Sequence, residues 1–243
     1  MVHKKINICL HNVVDKDSDV DSIYDITIAQ LGTLIVALKK HLEGGVIDEY
    51  ELFFDDGYRS FLTLARSFDF GVTNAKVHVA IITQQLGKPD RLSVSDIVEL
   101  DQAGFSVDSH SVSHAALATF RDDVLRETPS GGKYKNVERG RTRVLCENEV
   151  LYQLRESARL LESIISNASP SFVLPYGLYN SSTALIAGTR TSYGRLYTCD
   201  SGFDIGQYLA PRILLTQENV DNIGEIVAGL SIEAVRLRGG LTL

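Results

Sequence analysis

The chain has no tryptophan, only three cysteines and no long apolar run. Cys9, Cys146 and Cys199 are odd in number and lack paired spacing, which argues against a disulfide framework and reads as reduced intracellular thiols serving as small apolar filler. The longest apolar stretch falls far short of the ~20 residues that cross a bilayer. Met1 to Lys5 gives a basic start, but polar residues soon interrupt the apolar Ile6 to Leu10. The sequence therefore predicts no signal peptide, no membrane span and a cytoplasmic protein. A basic excess is also missing, with 24 Lys and Arg against 31 Asp and Glu and a net charge of −7. That balance argues against nucleic acid or an anionic membrane as the main partner. Neither an internal repeat nor a Pro/Ser-rich linker divides the chain. What remains is 243 residues, 44% hydrophobic and 23% charged, an ordinary globular composition with length enough to bury a core unaided.

Short β-branched runs alternate with helical spacing. Ile6 to Leu10, Tyr50 to Phe54, Val77 to Ile82, Phe105 to Val107, Phe172 to Leu174, Arg195 to Thr198 and Arg212 to Leu215 read as strands. Helices are expected from Ile28 to the Gly44-Gly45 stop, over Phe61 to Phe70, Ser93 to Ala103 and Glu147 to Ile165, and at the close over Val220 to Leu230. Ser93 with Asp96 three residues later has the form of a capping pair. The series predicts one α/β domain over residues 1–243, with a parallel sheet that is open or closed into a barrel. Residues 128–143, where Ser130-Gly131-Gly132 precedes Lys133, Lys135, Arg139, Arg141 and Arg143, read as a basic insertion loop. A solvated surface loop is the simpler account of it; a lid meeting an anionic part of a substrate is the functional one.

Candidate chemistry collects where strands end. Leu52-Phe53-Phe54 runs into Asp55-Asp56-Gly57-Tyr58, and strand ends are where α/β proteins carry their sites. By itself an Asp-Asp-Gly sequence also makes an ordinary strand-to-helix turn. Phe105-Ser106-Val107 leads into Asp108-Ser109-His110-Ser111-Val112-Ser113-His114. Two histidines four apart can address one centre, and with an aspartate they make the minimal open-sided metal site. Phe172-Val173-Leu174 ends in Pro175-Tyr176-Gly177, a rigid turn suited either to anchoring a loop or to aiming backbone N–H groups at an oxyanion. His11 ends the first strand, whereas His3, His41 and His78 lack that context and read as structural.

Phe-Phe-Asp-Asp-Gly-Tyr, Ser-His-Ser-Val-Ser-His and Phe-Val-Leu-Pro-Tyr-Gly-Leu-Tyr-Asn resemble, in order and spacing, the first three motifs of the NodB-like polysaccharide deacetylases, carbohydrate esterase family 4. The opening Ile-Cys-Leu-His-Asn-Val resembles a circularly permuted branch, in which the first strand supplies a histidine that other members carry late. The resemblance implies a distorted, incomplete (β/α) barrel and metal-dependent removal of an N-acetyl group from a sugar. It implies that Asp56, His110 and His114 hold a divalent metal, usually zinc, and that Asp55 is the base for a metal-bound water. Tyr176 would then offer its backbone N–H to the oxyanion, and His11 would protonate the departing amine.

The chain departs from the pattern in several places. Phe53 stands where the family has Thr, and Val173 where many members have an Arg that orients the base. Arg212, in Ala-Pro-Arg-Ile on a late strand, is a candidate to substitute for that Arg. Asp108 replaces a small residue and is expected to bring another carboxylate near the metal. The fourth motif and its Trp are absent. The expected substrate is an N-acetylated amino sugar or glycan precursor. Competing readings are hydrolysis of another amide, such as a cyclic imide or ureide, and non-catalytic carbohydrate binding.

Overall fold

The computed structural model describes residues 2–73, 75–117, 145–165 and 171–230; the insertion expected at 128–143 lies outside them. The strands are β1 (Lys5–Leu10), β2 (Asn12–Val14), β3 (Asp25–Thr27), β4 (Glu49–Phe54), β5 (Lys76–Ile81), β6 (Ser106–Ser109), β7 (Ser171–Val173), β8 (Arg195–Tyr197), β9 (Leu209–Ala210) and β10 (Ile213–Leu214). The helices are α1 (Ile28–Glu43), α2 (Ser60–Ser67), α3 (Val94–Gln102), α4 (Glu147–Ile164), α5 (Ser181–Arg190) and α6 (Ile223–Ala228). Among the described residues no helix is long and apolar enough to cross a membrane.

One parallel sheet runs in the order β10-β1-β4-β5-β6-β7-β8-β9, and β2 and β3 form a separate parallel pair. The large sheet curls into an incomplete (β/α) barrel. Its outermost strands, β9 and β10, are separated in sequence by Pro211 and Arg212 alone. Three Cα steps span at most ~10 Å, about two strand spacings. The two edges therefore face each other across a narrow seam, and Arg212 sits in it.

The twofold alternation of side chains along each strand sorts the barrel into an outside and a lumen. Ile6, Ile8 and Leu10 of β1, Tyr50, Leu52 and Phe54 of β4, and Val77, Val79 and Ile81 of β5 pack outward against Leu31, Leu34 and Leu38 of α1 and Ile97 and Leu100 of α3. Phe172 and Leu196 do the same against Leu151 and Leu154 of α4 and Ile186 of α5. Each such side chain contributes ~1.5–3 kcal/mol on burial. The starts of α1 and α3 are fixed by reciprocal capping, Thr27 with Gln30 and Ser93 with Asp96; the latter is the pair expected from the sequence.

Differences from the sequence expectation are local. The closing helix is a 3-10 turn (Val220–Asn222) followed by the short α6, and the last strand is two residues long. Helix α5 was not expected, because Ser181, Ser182 and Thr183 are weak helix formers. It starts because the Asn180 side chain accepts the Thr183 N–H at 3.0 Å, and it holds by burying Ala184, Ile186 and Ala187.

The lumen is layered. Its middle is apolar, with Phe53, Ala80, Val173, Tyr197 and Ala210. Toward the N-terminal ends of the strands lies a buried charged layer. His78 Nδ1 meets Asp108 Oδ2 at 2.6 Å and His78 Nε2 lies 3.4 Å from Glu51 Oε2. Lys5 bridges Glu51 and Asp204 at 3.2 and 3.4 Å, and the Phe53 ring stacks on His78 with centroids 4.1 Å apart. This corrects the expectation for Asp108, which is engaged by His78. Alternation explains it: Asp108 lies two residues before His110, so it faces the same lumen one layer lower.

Burial works against a charged His78, but Asp108 and Glu51 outweigh it and raise the imidazole above its ordinary 6.5. A raised value means the folded protein holds this proton more tightly than the unfolded chain. The resulting stabilisation is complete below pH 6.5 and fades as pH rises through the folded value. Urea midpoints measured from pH ~6 to ~9 should therefore fall with pH more steeply for the wild type than for His78→Gln. Parallel profiles would show that His78 is neutral throughout.

Candidate active site and metal centre

The site lies where the lumen opens at the C-terminal ends of β1, β4, β6 and β7. Adjacent residues of an extended strand point to opposite faces, so Asp55 and Asp56 can share the lumen only if the chain turns between them. It does: Asp56 takes a left-handed conformation (φ 71°), with Gly57 following at φ 66°. Arg91 fastens the turn by donating from Nη1 to the Asp56 carbonyl at 2.7 Å, its guanidinium lying 3.9 Å from the Tyr58 ring centroid.

His110 follows β6 directly, and its Nδ1–H donates to the Val173 carbonyl at 2.8 Å, which turns Nε2 toward the opening. His114 is carried by a loop with two left-handed residues, Ser111 (φ 69°) and His114 itself (φ 59°). Gln153 of α4 clamps that loop. Its Oε1 accepts from the N–H groups of Val112 and Ser113 at 3.0 Å each, and its Nε2 donates to Ser113 Oγ at 3.0 Å. No sequence pattern marks Gln153 or Arg91, since each acts on backbone supplied by another element.

His110 Nε2 and His114 Nε2 approach Asp56 Oδ1 at 3.4 and 3.3 Å. These distances are long for charge-assisted hydrogen bonds, and Asp56 Oδ1 is buried without a hydrogen-bond partner. They match instead the ~3.3 Å edge of a tetrahedron with ligand bonds of 2.0–2.1 Å. One carboxylate and two imidazoles whose ligand atoms all lie within 4.8 Å of one another thus fit an open three-ligand divalent metal centre. Burial and the neighbouring His110 lower the His114 imidazole to about 4, so it rests as the neutral ligand form.

Asp55 is buried beside this group. Arg212 Nη1 donates to its Oδ1 at 2.7 Å, and Arg212 is itself fully buried, with Nε donating to the Thr198 carbonyl at 3.0 Å. Burial raises the cost of ionising Asp55, yet Arg212 and His110 more than offset it and hold the carboxyl at about 2. Arg212 thus occupies the place suggested for a substitute of the missing Arg. Phe53 and Val173, at the two positions where the chain departs from its motifs, pack together in the apolar layer under it; the guanidinium carbon lies 5.3 Å from the Phe53 ring centroid.

His11 emerges from β1 with Nδ1 buried and unpartnered, and its ring lies 4.8 Å from that of Tyr24. Its ring nitrogen, the Cys9 sulfur and an Asp55 oxygen all lie within 4.8 Å of one another. Tyr176 has φ 60° within the 3-10 turn Pro175–Gly177, and its half-exposed ring lies 4.5 Å from that of His114. The turn depends on Gly177, where a Cβ would fall 2.5 Å from both Cβ and N of Cys199 in a backbone at φ 65°. Each predicted site residue therefore stands at this opening. Cys9 and Cys199, expected to be filler, also face it. The signal for Cys9 was its place two residues before His11 on one strand, which sets both in the lumen.

The model of the polysaccharide deacetylase family matches residues 48–190, which include Asp55, Asp56, His110, His114 and Tyr176. No curated protein sequence matches the chain. Among solved structures, a polysaccharide deacetylase from Bacillus cereus superposes with a TM-score of 0.67 at 15% identity, over 93% of this chain and 69% of that one. The Streptococcus pyogenes deacetylase PplD, in complex with acetate, gives 0.65 at 17% identity over 93% and 99%. A de-N-acetylase from Aggregatibacter actinomycetemcomitans gives 0.66 at 16% identity over 97% and 99%. At these identities the likeness is one of fold.

Because Gln153 of α4 makes three hydrogen bonds to Val112 and Ser113 in the His114 loop, Gln153→Leu should weaken divalent-metal binding ~10–100-fold, as lost outer contacts to metal ligands do, with the fold intact by circular dichroism. Competition against a chromophoric chelator measures this. Unchanged affinity would show that the loop holds its own shape.

Proposed function

The chain belongs to the polysaccharide deacetylase family, and on that premise we propose that it is a metal-dependent hydrolase removing an N-acetyl group from an amino sugar or glycan precursor. The observation that carries this reading is the division of labour between two adjacent carboxylates: Asp56 faces two imidazoles and Asp55 faces a buried guanidinium. Asp56, His110 and His114 would hold the metal, and zinc suits their donor set. When bound, the metal would supply Lewis acidity to the amide and to water.

Arg212 occupies Oδ1 of Asp55 and leaves Oδ2, 4.0 Å from His110 Nε2, to take a proton from water at the site. Ionised over the whole neutral range, Asp55 needs no prior deprotonation. Burial lowers the His11 imidazole despite Asp55 and Asp56, so it rests neutral and receives its proton during turnover. Asp55, with an oxygen within 4.8 Å of the ring nitrogen, is placed to hand on the proton taken from water, and His11 then delivers it to the leaving amine. The Tyr176 backbone N–H would stabilise the oxyanion. The position of His11 directly after β1 supports the permuted-branch reading, and a single sheet drawing strands from Lys5 to Leu214 supports one domain. Relatives described as a de-N-acetylase and as an acetate complex favour acetamide over cyclic imide or ureide substrates.

Release of acetate from N-acetylglucosamine oligomers by the zinc- or cobalt-loaded protein tests the reading; ring opening of imides with no acetate release would overturn it. Asp55→Asn should lower turnover by ~10²–10⁴-fold with metal affinity retained, the scale of a positioned base. His11→Ala should also keep the metal and lose most of the rate; loss of the metal would make His11 a ligand. Arg212→Met should move the acid limb of kcat/KM to higher pH, because Asp55 loses the partner that depresses it.

A further inference from the structure

Behind Asp55 the lumen holds a pair of thiols that the proposed reaction does not use. Cys9, fully buried on β1, approaches Asp55 Oδ2 at 3.4 Å. Cys199, which follows β8 and keeps partial exposure, lies 3.6 Å from Arg212 Nη2. Arg212 Nη1 in turn donates to Asp55 Oδ1 at 2.7 Å, so the two sulfurs lie against one ion pair. They come from opposite sides of the seam, and together they touch both members of the Asp55–Arg212 ion pair.

We propose that Cys9 and Cys199 form a reversible oxidation site, closing to a disulfide that draws both sulfurs away from Asp55 and Arg212 and switches the site off. The chemistry follows the asymmetry of the pair. Interaction with Cys9, and then the Arg212 charge, outweigh burial and lower the Cys199 thiol below its ordinary value, whereas the same interaction and burial push Cys9 up. Cys199 is thus the accessible thiolate and Cys9 the resolving thiol. With hydrogen peroxide as oxidant, the Cys199 thiolate forms an S–O bond as the O–O bond breaks, and the departing hydroxide takes a proton to become water. Cys9 then attacks the sulfenic sulfur. The S–S bond forms, the S–O bond breaks, and the second hydroxide leaves as water with the Cys9 proton. Two thiols and one peroxide give one disulfide and two waters; a dithiol reductant reverses the change.

The structural cost falls on the working parts. Gly177 packs so closely on Cys199 that it has no room for a Cβ, so a shift of Cys199 is carried into the Pro175–Gly177 turn as well as to Arg212. The loss of activity rests on the deacetylase reading; the cross-link does not.

The test uses the full chain with the exposed Cys146 replaced, Cys146→Ser, so that two thiols remain. Peroxide should consume both, and peptide mass measured without reductant should show Cys9 joined to Cys199. Turnover should fall ~10²-fold, the scale of losing a positioned base, with bound metal unchanged and full recovery in dithiothreitol. In Cys146→Ser/Cys9→Ala, Cys199 should stop at a sulfenic acid that dimedone traps. Cys199 advancing to sulfinic acid while Cys9 stays free would overturn the pairing, and complete cross-linking with unchanged turnover would overturn the switch. If the reduced protein releases no acetate at all, the deacetylase reading fails, and the mass of the oxidised peptides alone decides the thiol pair.

Discussion

The ion pair between Arg212 and Asp55 is the constraint on which the rest of the site depends. Both groups are fully or almost fully buried, and leaving one such charge without its partner costs ~3–5 kcal/mol, a large part of the 5–15 kcal/mol that keeps a domain folded. The pair is therefore structural as well as chemical. It closes the seam between β9 and β10 from the inside, since Arg212 also bonds the Thr198 carbonyl at the end of β8, and Asn7 of β1 donates to the Pro211 carbonyl beside it.

The same pair separates two carboxylates that would otherwise compete. Adjacent acids at one opening repel, and one of them would ordinarily hold a proton. Here the left-handed turn at Asp56 sends the two side chains to different partners, Asp55 to Arg212 and Asp56 to His110 and His114, and both carboxyls are lowered. Phe53 and Val173 make this arrangement possible from below. They replace polar groups by an apolar layer with no hydrogen-bonding demand, which lets the guanidinium reach Asp55 from the seam. The charged layer around His78 lies beneath that, insulated from the opening by the Phe53 ring.

Most of the strands and every described helix but α5 were legible in the sequence, most plainly where periodicities are long enough to read, as in Ile28 to Leu38 or Glu147 to Ile165. The clustering of the candidate site residues was legible because they follow strands, and strand ends converge in a parallel sheet. What escaped were features created by pairing between distant segments. Asp108 looked like a neighbour of the metal because it is near His110 in sequence; its partner, His78, is set by the β5–β6 register, in which Ala80 lies opposite Asp108. Cys199 has no local signal at all, since its neighbours Cys9, Arg212 and Gly177 come from three other elements. A two-residue strand such as β9 carries no periodicity to detect, and its pairing comes from the closure of the barrel.

The seam also sets an order of assembly. Asp56, His110 and His114 span 58 positions, whereas Arg212 lies 157 positions from its partner Asp55. As the chain leaves the ribosome, the groups suited to a metal are all available when β6 and its loop have emerged. The base acquires its counter-charge only when the strand at the far edge arrives. Until then Asp55 is an acid without a cation in a half-formed lumen, and solvent must screen it there. The far edge of the sheet thus completes an ion pair that begins in the first acidic motif, and a chain cut short of Arg212 leaves Asp55 without its partner.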